Sequence, residues 1–174
     1  MIKDQETDSD QFPPFCIVSR RLVPRRCPTE DQLLIYYWYV PIRNYLPEKD
    51  FQPVLELYEA VGWTTYTKNP EKLKYALYNS AFVLVFSEGN EVRGLVRCVS
   101  DDHTICYIQD ILVNPAYQRH GIGHKLLTKV LENYAHVRQV VLMTDYEEGQ
   151  RNFYESLGFR EIKGDLRGFA RIQP

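Results

Sequence analysis

The residues with the clearest chemical content are Gln118-Arg119-His120-Gly121-Ile122-Gly123-His124-Lys125, where two glycines one residue apart sit among hydrogen-bond donors and positive charge. Immediately before them, Ile111-Leu112-Val113-Asn114-Pro115 reads as the end of a strand. Immediately after, Leu126, Leu127, Val130, Leu131 and Tyr134 fall on one face of a helix that opens near Ile122. A glycine-rich turn at a helix start leaves backbone N–H groups without carbonyl partners, and together with the helix dipole these attract anions. Glycine at 121 and 123 removes side chains where a bulky anion must approach the backbone, so phosphate or pyrophosphate binding is the expected chemistry. Neither of the two best-known phosphate signatures applies. G-x-x-x-x-G-K-S/T is absent, and so are the third glycine and following acid of the dinucleotide fingerprint.

The elements that must hold this turn follow from periodicity and punctuation. Residues 33–40 are aromatic and β-branched and predict a first strand, and 41–50 turn the chain into a helix over 51–61, stopped by Gly62. A second helix is predicted over 70–78, with Asn69 as its cap and Pro70 in its first turn. Residues 81–86, 92–100 and 104–113 then read as an antiparallel meander, joined through Glu88-Gly89-Asn90 and Asp101-Asp102-His103. After the helix from Ile122, residues 137–143 form a dense strand and 148–157 a helix ended by Gly158, while 159–162 and 168–172 predict two last strands. The expected fold is α/β, a mixed but mostly antiparallel twisted sheet of about seven strands flanked by about four helices. Residues 1–30 read as a partly ordered arm, and 31–174 as a single domain.

The segment from Val113 to Leu127 resembles the central motif of the GNAT N-acetyltransferases, Arg/Gln-x-x-Gly-x-Gly/Ala, at every constrained place. Phe153-Tyr154-Glu155-Ser156-Leu157-Gly158-Phe159 is similar to the family's F-Y-x-x-x-G-F segment. The two stand in the family's order with a strand between them, and the likeness extends over residues 51–172. Leu57-Tyr58-Glu59-Ala60-Val61-Gly62-Trp63 and the stretch from Tyr107 to Val113 further resemble small bacterial and plastid members.

The resemblance implies acetyl transfer from acetyl-coenzyme A to a primary amine by direct attack in a ternary complex, with no metal. It assigns coenzyme binding to Ile111, Leu112, Val113, Gln118, Arg119, His120, Gly121, Ile122, Gly123, His124, Lys125, Asn152 and Tyr154. Leu112 N–H is expected to donate to the oxyanion, and Tyr154, whose ordinary pKa is about 10, to protonate the departing thiolate. Lys125 and Arg151 are expected near outer phosphates. The base is open between Tyr107, His103 and an ordered water chain, because Gln109 cannot accept a proton and Asp110 is expected on the opposite strand face. A second departure from the family's pattern is Glu147, which stands where many members place a pantetheine-holding asparagine.

An apolar fraction of 44%, a charged fraction of 25% and a net charge of −2 suit a soluble domain and give no reason to expect nucleic acid or a membrane as partner. Cys16, Cys27, Cys98 and Cys106 lack metal-ligand spacing, which points to the reducing cytoplasm; Cys98 and Cys106 either face each other across a hairpin or fill core. The expected acceptor is a small amine such as an arylalkylamine, polyamine or amino acid, with Tyr36, Tyr37, Trp38, Tyr39, Trp63 and Tyr66 either walling an aromatic-amine site or packing as core. The competing readings are a non-catalytic acyl-coenzyme A sensor and a protein-modifying acetyltransferase. Homodimerisation, common in the family, is expected.

Overall fold

The computed structural model describes residues 41–163. The expected strand over 33–40, the strand over 168–172, the arm and the tyrosine-rich cluster 36–39 lie outside the described residues. Within them the chain forms β1 (Ile42–Asn44), α1 (Pro47–Ala60), α2 (Thr64–Thr67), α3 (Pro70–Tyr78), β2 (Phe82–Glu88), β3 (Glu91–Ser100) and β4 (Ile105–Val113). A 3-10 turn (Pro115–Tyr117) leads to α4 (Ile122–Asn133), β5 (Gln139–Leu142) and α5 (Glu148–Glu155).

The five strands make one sheet in the order β1-β2-β3-β4-β5, antiparallel except where β5 joins β4 in parallel. The crossover between those two strands carries α4, the usual requirement of a parallel connection. Helices cover both faces. Leu84, Phe86, Val96, Cys98, Cys106 and Ile108 pack under Ile122, Leu126, Leu127 and Val130 of α4. On the other face Val85, Leu95 and Leu112 meet Val54, Leu57 and Tyr58 of α1 and Leu73 and Leu77 of α3.

Several expectations need correction. Helix α1 starts at Pro47 rather than near 51, because the Asp50 carboxylate accepts from Leu46 N–H at 2.8 Å and holds the first turn. Strand β1 lies in a stretch read as a turn, and α2 was not foreseen; at 3 and 4 residues both are too short to show a period. Residues 159–162 form no strand. Phe159 N–H bonds to Tyr154 O at 3.2 Å and its ring packs 5.9 Å from that of Tyr154, so the segment caps α5 instead of joining a ladder. Cys98 and Cys106, by contrast, fill the core as expected; they lie diagonally across the ladder, Cys98 facing Ile108 and Cys106 facing Ser100.

Candidate active site

The turn before α4 has the geometry expected of an anion cradle. Arg119 and Gly121 both take positive φ, 63° and 77°. Left-handed residues alternating along a turn bring successive N–H groups to one side, forming a concave anion site. Lys125 N–H is the first to bond back along the helix, to Gly121 O at 3.0 Å, which leaves the N–H groups of Ile122, Gly123 and His124 without intrahelical acceptors. No side chain caps them, and no acidic residue lies in the first turn of α4. Helix starts ordinarily favour acids, so Arg119, His120, His124 and Lys125 gathered here are electrostatically misplaced unless an anion joins them.

The two glycines have different reasons. A Cβ on Gly121 would meet nothing within 4 Å, so its value lies in the φ it permits and the open space above it. A Cβ on Gly123 would stand 3.2 Å from Phe153 Cζ, so this glycine lets α5 pack against α4, a role the anion argument alone does not supply. The Gln118 amide donates to Val113 O at 3.3 Å and ties the cradle to the end of β4. Arg151 pairs on the surface of α5 with Glu155 at 3.1 Å and Glu148 at 3.7 Å. Asn152 is exposed on α5.

Beside the cradle the sheet opens. β4 pairs with β5 only from Ile105 to Ile108, and beyond that its outer edge has no partner among the described residues. Which backbone groups face the gap is fixed by the ladder phase. Asn114 N–H donates to Arg93 O at 2.9 Å, across a register that sets Gly94 opposite Val113 and Leu95 opposite Leu112. Antiparallel ladders alternate, so Leu112 also turns its backbone toward β3, while Ile111 and Val113 turn theirs into the gap. The bond from Tyr45 N–H to Val83 O sets the same phase from the far edge of the sheet. Leu112 N–H is therefore not the free donor expected from the sequence; Ile111 N–H and Val113 N–H are.

A bulge produces a second correction. The β3–β4 register steps from Arg97 opposite Asp110 to Cys98 opposite Ile108, leaving Gln109 as an extra residue. Asp110 consequently shares a face with Gln109 rather than opposing it. It is 1% exposed, and its Oδ2 accepts from Tyr58 Oη at 2.6 Å and from Arg97 Nε. Gln109 Nε2 lies 3.4 Å from the Tyr66 hydroxyl. Trp63 stacks on Tyr66 at 5.8 Å, and Tyr66 stands 5.3 Å from Tyr58, so these aromatics line the α1–α3 face of the gap. Tyr107, alternating with the buried Cys106 and Ile108, is half-buried on that face too. His103 is not a candidate base: its Nδ1 bonds to Asp101 O at 2.9 Å in the turn before β4, and Ile105 to Ile111 alone spans about 20 Å.

The acetyltransferase (GNAT) family model matches residues 49–159. The chain belongs to that family. Among solved structures, the GNAT family protein SP0256 of Streptococcus pneumoniae TIGR4 is 36% identical at a TM-score of 0.66, over 76% of this chain and 95% of that one. Histone acetyltransferase TAP1 of Glycine max is 32% identical over 132 residues, 68% of this chain but only 55% of the soybean protein. An uncharacterized N-acetyltransferase, ycf52, of Gracilaria tenuistipitata var. liui is 28% identical over 137 residues, 75% of this chain and 71% of its own. The match thus spans little more than half the length of the soybean relative.

Within this GNAT domain Tyr154 is 8% exposed, with rings of Phe153 and Phe159 at 5.1 and 5.9 Å. Burial raises its pKa above the ordinary value, and a hydrogen bond with Thr144, just past the end of β5, lowers it in part. The hydroxyl therefore stays protonated at neutral pH and sits where β5 leaves the sheet. A cavity of about 380 Å³ lies along β5 and α5, lined among others by Thr144, Glu147, Arg151, Tyr154 and Ile162. None of the residues 118–125 borders it, so it is separate from the turn before α4. Tyr66 is one of the aromatics that the sequence allows as the wall of an amine site, whereas Tyr58 and Arg97 carry no site signal in the sequence. Among the described residues no helix is long and apolar enough to cross a membrane.

Proposed function

We propose that this chain is an acetyl-coenzyme A-dependent N-acetyltransferase acting on a primary amine, small in the first instance, by direct attack in a ternary complex. The observation that carries the reading is the gap between β4 and β5, with Ile111 N–H and Val113 N–H facing it and the uncapped, cationic start of α4 beside it. The residues fit the coenzyme. The N–H groups of Ile122, Gly123 and His124 with Arg119 and Lys125 would hold its pyrophosphate, and the open side of Gly121 leaves room for it. Acetyl-coenzyme A supplies the activated acetyl group. Ile111 N–H, fixed by the sheet, would donate to the thioester oxygen as charge builds there, at no cost of reorganisation. Tyr154, kept protonated by burial, would give its proton to the departing sulfur.

A protein amine as acceptor is the second reading, supported by the name of the soybean relative. Both are tested together. Isothermal titration with acetyl-coenzyme A should show binding that Gly121→Val abolishes, because a β-branched residue cannot hold φ near 77°. Thiol release should follow addition of tryptamine, spermidine, lysine or a lysine peptide, and Tyr154→Phe should slow it about 10²-fold. Binding without turnover on any of these amines would point to a sensor; absence of binding would sink the assignment.

A further inference from the structure

The buried Asp110 carboxylate is used on one side only. Oδ2 accepts from Tyr58 Oη at 2.6 Å and from Arg97 Nε, whereas Oδ1 is buried and has no hydrogen-bond partner among the described residues. Leaving a charged acceptor's second oxygen unsatisfied in the interior is unfavourable, so such a group calls for a reason beyond holding the fold. Its position suggests one. Asp110 immediately precedes Ile111, whose N–H faces the gap, and follows the bulged Gln109, whose amide nitrogen lies 3.4 Å from the Tyr66 hydroxyl. Burial, and then the negative charge of Asp110, raise the Tyr66 hydroxyl above its ordinary pKa, so the two groups sense each other. Tyr66 is half-buried and Trp63, stacked on it, is 37% exposed, which opens this corner to solvent on the face away from α4.

We infer that Tyr66 contacts the acceptor amine and removes its proton, and that Asp110 is the positioning residue that takes the proton from Tyr66 through Oδ1. The inference rests on the transferase reading above. An N–H bond of the ammonium breaks as an O–H bond to Tyr66 forms, and the proton Tyr66 carried passes to Asp110. The amine keeps the electron pair with which it attacks, no group is oxidised or reduced, and the proton returns to solvent along the same path after the product leaves. The titratable and charged groups around this pair are Tyr58 from α1, Arg97 from β3, and Tyr66 and Asp110 themselves. Tyr58 and Arg97 occupy Oδ2, so they orient the carboxylate and leave Oδ1 as its proton acceptor. Gln109, whose amide lies beside Tyr66, and Ile111 are about 7 Å apart along β4, a separation that one amine nitrogen and the acetyl carbon it attacks can bridge.

The test is the pH dependence of thiol release with whichever of tryptamine, spermidine, lysine and the lysine peptide the wild-type protein acetylates. Tyr66→Phe should lower kcat about 10²-fold near pH 7 while the Kd for acetyl-coenzyme A stays within about twofold. The deficit should shrink as pH rises toward the amine's own pKa, because solvent then delivers the neutral amine. Asp110→Asn should behave alike. If that variant fails to fold, since it leaves Arg97 without its counter-ion, Tyr66→Phe decides alone. A Tyr66→Phe deficit that is constant with pH, or a kcat within about twofold of wild type, overturns the relay and leaves the transferase standing. No turnover by the wild-type protein on any amine overturns the transferase reading, and the relay with it.

Discussion

Among the described residues the protein contains two buried arginine–aspartate pairs, alike in charge and burial and different in how the carboxylate is hydrogen-bonded. Arg43–Asp50 has side chains 5% and 2% exposed, and Arg97–Asp110 has 7% and 0%. In the first, both carboxylate oxygens are engaged: Oδ1 by Arg43 Nη2 at 2.8 Å, and Oδ2 by Arg43 Nη1 at 2.6 Å and by Leu46 N–H at 2.8 Å. In the second, Oδ2 takes both donors and Oδ1 takes none. The first pair fastens the start of α1 to the edge strand β1; the second sits on the bulge of β4, three strand spacings or roughly 14 Å across the sheet. Equal burial and equal charge therefore do not separate a structural ion pair from one with chemistry to perform. The completeness of the carboxylate's hydrogen bonding does.

The most forceful way to break this distinction is to remove Asp50. Asp50→Asn leaves the Arg43 guanidinium buried without its counter-charge, and breaking a buried pair from one side costs about 3–5 kcal/mol. The urea midpoint should fall accordingly, while kcat of the folded fraction and its pH profile stay at wild-type values. A variant that kept its stability but lost kcat would place the chemistry at the wrong pair.

A smaller change probes the satisfied oxygen of the second pair. Tyr58→Phe removes the hydroxyl that donates to Asp110 at 2.6 Å and leaves the ring packed 5.3 Å from Tyr66. A hydrogen bond to a charged acceptor contributes about 1.5–3 kcal/mol, so urea unfolding should show a loss in that range. The effect on kcat should be well below that of Tyr66→Phe, because Arg97 still holds Oδ2. A kcat loss as large as that of Tyr66→Phe would mean that Tyr58 rather than Tyr66 serves the acceptor.

The contrast between the pairs also marks how far the sequence could be read. The cradle was legible because its signals are local: glycines at 121 and 123, basic neighbours, and a helical period starting at once. The meander and α3 were legible for the same reason, each bounded by turn residues and a clear period. The bulge was not. An extra residue leaves no side-chain signature, and Tyr107-Ile108-Gln109-Asp110-Ile111 is compatible with either phase of the strand, so the period of two sets Asp110 on the wrong face; the Leu112 N–H expectation comes from the family resemblance and fails on the ladder phase. The Phe159 segment has strand-like residues, yet its backbone is claimed by the cap of α5. Arg43, Asp50, Tyr58 and Arg97 meet only through tertiary packing, which no window of sequence contains.

The smallest predicted effect concerns a hydroxyl beside the structural pair. Tyr45 Oη is buried without a partner among the described residues, and burial, followed by the charges of Asp50 and Glu48, pushes its pKa from 10.0 up to about 12. Because the folded-state pKa is raised, this group's contribution to stability is complete below about pH 10, where the unfolded tyrosine is still protonated, and is lost as pH climbs through 12. Tyr45→Phe removes both the unpaired hydroxyl and that titration. At pH 7 its urea midpoint should match or slightly exceed that of the wild type, since an unsatisfied polar group is exchanged for an apolar one of nearly the same shape. Between about pH 10 and 12 its stability should decline less steeply than that of the wild type. An equally steep decline would assign the alkaline loss to other groups, and a destabilised variant at pH 7 would mean that the Tyr45 hydroxyl has a partner after all, narrowing the contrast between Asp50 and Asp110.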